Sequence, residues 1–427
     1  MASSFTFSLF SITLSLLTFI SLCNSQQYLK LPLLHKTPFT TPLQALSSDS
    51  HRLSVLRGRP SLKSPVVSGA STGSGEYFVD LTLGTPPQKL LLVADTGSDL
   101  VWVRCTACKN CTNHRPGSAF LARRSSTFSP HHCYDSTPCR YDYSYADGST
   151  SSGFFSEETM SFRTSSEKNL RLKSLKFGCA FRNAGPSVSG GSFNGAQGVM
   201  GLGRGPISFS SQLGRRFGNR FSYCLMDYTI SPPPTSYLMI GGNQTGVVSK
   251  IHKLSFTPLL SNPLSPTFYY IGIKSVSVAG RKLPIDPSVW SIDGAGNGGT
   301  IVDSGTTLTF LAEPAYRVVL AAFRRRVKLP SPVEPVPGFD LCVNVSGVSK
   351  PSLPRLSIEL GGKSVLSPPP RNYFIELADR VKCLAVQPAN PVGGFSVIGN
   401  LMQQGFLFEF DRDRERLGFT RRGCAQP

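Results

Sequence analysis

The sequence predicts a mainly β protein built from two similar lobes, and three observations carry that prediction. Hydrophobic residues make up 40% of the 427 positions while 33 are proline, the balance of a globular, loop-rich chain in which prolines sit at turns and sheet edges. Short segments such as Tyr77–Leu83 alternate apolar and polar side chains, the period of a half-buried strand. One pattern also occurs twice, as Leu90-Leu-Leu-Val-Ala-Asp95-Thr96-Gly97-Ser98 and as Gly299-Thr-Ile-Val-Asp303-Ser304-Gly305-Thr306-Thr307. Each copy is an apolar run that reads as a buried strand and ends in Asp, hydroxyl, Gly, hydroxyl. At about 150 residues per domain there is room for two domains and a sizeable core.

A single Asp-Thr-Gly is also an ordinary turn at a strand end. Two copies with matching apolar lead-ins predict a duplicated half-domain that brings its carboxylates face to face. Such a pair cannot hold two negative charges at contact distance, so it keeps one proton between two acids at mildly acid pH. One member is then a base and the other an acid. Together they can take a proton from a bound water and give one to a carbonyl oxygen, which hydrolyses a peptide bond without a covalent intermediate.

These paired motifs resemble those of the pepsin-like aspartic proteases, whose catalytic Asp-Thr/Ser-Gly-Ser/Thr occurs twice. The resemblance covers about residues 76–427 and implies a bilobal pepsin-like fold, two β-barrel-like lobes with an active-site cleft between them. It implies that Asp95 and Asp303 share the proton and activate the water, with no cofactor and no metal. The hydroxyls of Thr96 and Ser304 would tie the two loops to each other across the cleft. Those of Ser98 and Thr306 would hold the outer carboxylate oxygens, and Gly97 and Gly305 complete the loops.

Taken in order, the chain opens on an apolar, uncharged stretch from Phe5 to Leu22 followed by Cys23-Asn24-Ser25. Residues 1–25 read as a signal peptide, although the usual basic residues before the apolar core are missing. A membrane anchor is the alternative, against which stand the interspersed serines and threonines and the lack of a second long apolar segment. Residues 26–70 carry Lys30, Lys36, Arg52, Arg57, Arg59 and Lys63 against Asp49, with no sustained period of 2 or 3.6, so they are not expected to pack as a domain. They read as a propeptide whose basic segment neutralises the catalytic acids near neutral pH and leaves when they protonate, with cleavage between about Lys63 and Gly75.

The first lobe is expected over 71–228. Tyr77–Leu83, the turn Gly84-Thr-Pro-Pro-Gln and Lys89–Ala94 form a hairpin that delivers Asp95. Trp102 stands where the family has a tryptophan that supports the flap tyrosine; a tryptophan that only packs is the plainer reading. Cys105, Cys108 and Cys111 fall at metal-like spacing with His114, yet ten cysteines besides Cys23 after a signal peptide favour five disulfides over zinc. This region resembles the nepenthesin-type plant branch, which implies Cys105 paired with Cys108, Cys111 with Cys179, and Cys133 with Cys139 in a shortened insertion. Arg140–Ser149 resembles the flap hairpin, with Tyr145 as its tyrosine and Ala146 where many members have Gly. Gly198-Val-Met-Gly201 matches a family strand beside the catalytic loop, and Val397-Ile398-Gly399 repeats it.

The second lobe is expected over 229–427, after the stiff Ser231-Pro-Pro-Pro-Thr connector. Glu313 to Phe323 reads as a helix with Pro314 in its first turn. The resemblance implies Cys342 paired with Cys383, and Cys224 with Cys424 clamping the chain end to the lobe junction. Asn110, Asn243 and Asn344 begin glycosylation sequons.

With 44 Lys and Arg against 25 Asp and Glu the chain has a formal charge of +19. The charges are scattered in small clusters at Arg123-Arg124, Arg215-Arg216, Arg324-Arg325-Arg326 and Arg421-Arg422. That is the pattern of a solvated surface, with anionic cell-wall polysaccharide as the sharper alternative and no nucleic-acid partner. Gly69-Ala-Ser71-Thr-Gly73 matches a nucleophile elbow but does not join a strand to a helix. Gly294-Ala-Gly296-Asn-Gly-Gly299 matches a dinucleotide fingerprint but leads into a strand, where no helix N-terminus awaits a phosphate. The expectation is a monomeric, secreted enzyme of the extracellular space or cell wall, with the vacuole as an alternative. It carries no membrane segment once mature and acts on extended polypeptide. A non-enzymatic binding protein on the same fold, such as a plant glycosidase inhibitor, is the rival reading.

Overall fold

The computed structural model describes residues 28–34, 77–106, 118–133, 136–144, 149–163, 169–185, 188, 196–227, 236–241, 254–389, 394–421 and 424. Outside these lie the signal segment, the cleavage region, Cys108, Asn110, Cys111, His114, Tyr145, the 231–235 connector and Asn243.

The expected hairpin forms, with Phe78–Leu83 antiparallel to Gln88–Asp95 and Leu81 opposite Leu90. The alternation works as read: Leu81, Leu83, Leu90 and Leu92 all enter the main core. Beside this strand runs Gly198–Gly201, parallel, with Gly201 opposite Asp95. The second lobe repeats the arrangement, Thr300–Val302 lying parallel to Ser396–Ile398 with Val302 opposite Ile398. The first accompanying strand ends in a glycine and the second is followed by one, for a steric reason. A β-carbon at Gly201 would sit 2.4 Å from the Asp99 carbonyl carbon, and one at Gly399 would sit 2.0 Å from the Leu308 oxygen. Each catalytic loop crosses directly over that glycine, and only a hydrogen leaves it room.

A six-stranded antiparallel platform joins the lobes. Its order is Tyr28–Leu34, Ser236–Gly241, Arg220–Cys224, Leu407–Asp411, Arg416–Thr420 and Ser255–Leu260. The seam between the lobes is the pairing of Arg220–Cys224 with Leu407–Asp411, where Phe221 and Phe410 stack with ring centres 4.5 Å apart. Residues 28–34 therefore form an inner strand, although the segment containing them carries no sustained period. It hydrogen-bonds to Ser236–Gly241 on one side and, through Leu33 and Leu34, to Val79 and Phe78 on the other. Leu31 and Leu33 are buried, so a period of 2 is present but spans too few residues to stand out before the neighbouring strands supply backbone partners.

Three of the expected disulfides form: Cys133–Cys139, Cys224–Cys424 and Cys342–Cys383. The other two pairings require correction, because Cys105 bonds to Cys179 and not to Cys108, which also removes Cys111 as the partner of Cys179. The reason is strand register. Val101–Thr106 runs parallel to Asn169–Ala184 with Val103 opposite Cys179, which brings the α-carbons of Cys105 and Cys179 to 5.3 Å.

The expected helix runs from Glu313 to Arg326 with Pro314 in its first turn, and buries Tyr316, Val319, Leu320 and Phe323 on one face. Its three closing arginines suit the negative end of the helix dipole.

Candidate active site

Both catalytic-type aspartates are buried, Asp95 at the end of its strand and Asp303 just after Thr300–Val302. In each loop the glycine two residues on donates its N–H to the near carboxylate oxygen, Gly97 to Asp95 Oδ1 and Gly305 to Asp303 Oδ1, both at 3.0 Å. The loops then exchange bonds with two-fold symmetry. The Ser304 N–H donates to Thr96 Oγ1 at 2.9 Å, and the Thr96 N–H donates to Ser304 Oγ at 3.1 Å. The Ser304 hydroxyl goes on to the Ala94 carbonyl at 2.9 Å, and the Thr96 hydroxyl lies 3.4 Å from the Val302 carbonyl and 3.5 Å from Asp303 Oδ1. Thr96 and Ser304 thus tie the two loops together, which brings the loop of Asp95 against the loop of Asp303.

Thr306 also behaves as expected, its hydroxyl donating to Asp303 Oδ2 at 2.7 Å. Ser98 does not: it is buried, and its hydroxyl has no hydrogen-bond partner among the described residues.

Several supporting residues gave no sequence signal of their own. Asn400 donates to the Ser304 carbonyl at 3.0 Å, and Gln403 donates to the carbonyls of Asp303 and Ile398 at 3.1 and 2.8 Å. Gln403 in turn accepts the Tyr223 hydroxyl. Burial, then the charge of Asp303, holds the Tyr223 phenol well above its ordinary range, so it stays a donor. Polar residues directly after the apolar-apolar-Gly strand were the available clue. On the first loop, Asp99 accepts the Thr267 hydroxyl at 2.7 Å and the Gly205 N–H at 2.8 Å, a strap from one lobe to the other. Burial raises the Asp99 carboxyl, and those two bonds and Arg412 offset part of the rise.

Trp102 is fully buried among Phe78, Val93, Leu100, Tyr141 and Val199. The flap strands are present as Arg140–Ser144 paired with the start of Thr150–Arg163, but the tip, with Tyr145, lies outside the described residues. Among the described residues of this hairpin, Tyr143 reaches the segment after the first Asp loop, its hydroxyl accepting the Leu100 N–H at 3.4 Å. Among the sequon residues, Asn344 ends the strand Cys342–Asn344, partly exposed, and its side chain accepts the Ser346 N–H at 2.8 Å.

Residues 77–242 match the family described as xylanase inhibitor N-terminal, and residues 268–421 match xylanase inhibitor C-terminal. Aspartyl protease family protein 2 of Arabidopsis thaliana is 41% identical over 378 residues, covering 85% of this chain and 74% of that one. The chain belongs to the plant pepsin-like aspartic protease family. Within that family, aspartic proteinase nepenthesin-2 of Nepenthes gracilis is 35% identical over 384 residues, covering 87% of this chain and 82% of its own. The crystal structure of basic 7S globulin from soybean superposes with a TM-score of 0.67 over 92% of this chain and 95% of that one, at 19% identity. That last likeness is one of fold. The protease family's paired Asp loops are both intact here, with their glycines and cross-loop hydroxyls in hydrogen-bond contact.

Proposed function

We propose that the chain is an aspartic endopeptidase, secreted with a signal peptide, made as a zymogen and glycosylated on the way to the extracellular space or cell wall. One observation supports the reading: Thr96 and Ser304 exchange backbone-to-hydroxyl bonds, which joins the two loops that carry the buried carboxylates. Two acids so placed share one proton, and pepsin's dyad is the known case of such sharing. The ionised member takes a proton from the attacking water while the protonated member gives one to the scissile carbonyl oxygen. Thr306 and the Gly97 and Gly305 N–H groups stabilise the charged form and hold each carboxylate in position. The substrate lies extended, because strands supply the backbone groups that line the cleft, and the flap hairpin closes over it.

The test is acid activation of the purified precursor followed by an assay on denatured globin, with Asp95→Asn in parallel. Turnover by the wild type and none by the variant is expected; turnover retained by Asp95→Asn defeats the mechanism. A second reading, a binding protein directed at a glycosidase, is favoured by the description of the matching family as xylanase inhibitors. No turnover by the acid-treated wild type, together with inhibition of a xylanase, would replace the first reading with the second.

A further inference from the structure

A notch of about 590 Å³ on the second lobe is lined by Ala279, Arg281, Arg325, Arg326, Lys328, Leu353 and their neighbours, and no acidic residue lines it. Its cations come from separate parts of the chain. Arg281 follows a two-residue turn, Ala279-Gly280, in which both residues have positive φ and Val278 pairs with Arg281, the geometry of a tight hairpin. Arg325 and Arg326 close the helix Glu313–Arg326, and Lys328 follows it. The Ala279 N–H donates to the Arg355 carbonyl at 2.8 Å, pinning the turn to the loop that carries Leu353 and Pro354. Arg326 is steadied by a bond to the Ala322 carbonyl at 3.1 Å.

The helix dipole accounts for basic residues at the helix end but not for Arg281, which arrives from a hairpin. Four like charges around one concavity raise the local positive potential, although solvent screens the exposed ones, and an anion bound among them would relieve it. Among the described residues none of the four forms an ion pair, whereas Arg317 near the start of the same helix pairs with Glu313. The floor is different in kind, since Pro354 is buried and Leu353 half-buried. Guanidinium forks match planar carboxylates bidentately, and an apolar floor suits the C–H face of a sugar ring. The volume lies within the range of small-ligand sites.

We propose that this notch binds a carboxylated polysaccharide, a polymer of uronate units, and so anchors the protein at a distance from its catalytic loops. The disulfides place the folded chain in an oxidising compartment, where such polymers and not intracellular nucleic acids are the available polyanions. The site is independent of the catalytic aspartates.

The test uses the full secreted chain carrying Asp95→Asn, with unesterified polygalacturonate as the probe and fully methyl-esterified polymer, inorganic phosphate and phosphatidylserine vesicles as comparisons. Arg281→Ala with Arg325→Ala is expected to weaken polygalacturonate binding by about tenfold or more, and Arg281→Glu with Arg325→Glu to abolish it. Arg123→Ala with Arg124→Ala, an exposed pair on the other lobe, should leave it unchanged. An equal loss in that control pair, undiminished binding by the notch variants, equal binding of the esterified polymer, or tighter binding of phosphate or vesicles would each overturn the proposal.

Discussion

Thr96 and Ser304 show how much of the joining of the two Asp loops can rest on two small hydroxyl residues. Each side chain accepts an N–H from the other's loop and sends its own hydroxyl toward a carbonyl at the root of that loop. Replacing Thr96 with Val keeps the volume but strands the buried Ser304 N–H. An unsatisfied buried donor costs about 1–3 kcal/mol, so urea denaturation of Thr96→Val should show that loss. The two outer hydroxyls make a sharper comparison. Thr306 bonds Asp303 Oδ2 directly, and a hydrogen bond to a charged group is worth about 1.5–3 kcal/mol, so Thr306→Val should lower kcat/KM by about tenfold or more. Ser98 makes no such bond among the described residues, and Ser98→Ala should change kcat/KM by less than about threefold. Equal losses in the two variants would show that the loops are functionally symmetric after all.

The element that matters most for pH is the seam strand Leu407–Asp411. Glu409 is fully buried there, neither of its oxygens accepts a hydrogen bond among the described residues, and Arg220 is 3.9 Å away. Burial raises its carboxyl above the ordinary range, Arg220 offsets part of that, and Asp411 adds to it. For Asp411, burial pushes the same way but is outweighed by Arg414, Arg220 and Arg416, which leave it below its usual value. Because the folded state holds the Glu409 proton more tightly than the unfolded state, Glu409 costs no stability below its unfolded pKa of about 4.3. Stability is lost as pH rises through the higher folded value. Glu409→Gln should therefore match the wild type in melting temperature near pH 4 and exceed it increasingly toward pH 7. A constant gap across that range would show that Glu409 does not titrate in this window. Asp99, also raised, works in the same direction as Glu409, whereas the lowered Asp411 works against them, its stabilisation being lost as pH falls.

For the molecule as a whole, the platform decides what can be removed. Cys224–Cys424 closes a loop of 200 residues, and Cys424→Ser should cost about 2–5 kcal/mol, read as a lower melting temperature. The strand Tyr28–Leu34 fills the gap between Phe78–Leu83 and Ser236–Gly241. A chain synthesised from residue 71, without that strand while it folds, would expose the Ser236–Gly241 strand as a bare edge, a template for aggregation. It should be less soluble than the full chain, and equal yield of soluble monomer by size-exclusion chromatography would show that the strand is dispensable.

Local sequence determined the strand class, the Tyr77–Asp95 hairpin, the helix beginning at Glu313 and the two Asp loops, since each is written in neighbouring residues as periodicity, turn chemistry or a cap. Tertiary structure alone decided the Cys105–Cys179 bond, the Asp99–Thr267 strap, the place of residues 28–34 in the platform and the meeting of Arg281 with Arg325. Each of these depends on the register and approach of segments far apart in the chain, and that is set by how whole strands pair and pack, which no single stretch of sequence encodes.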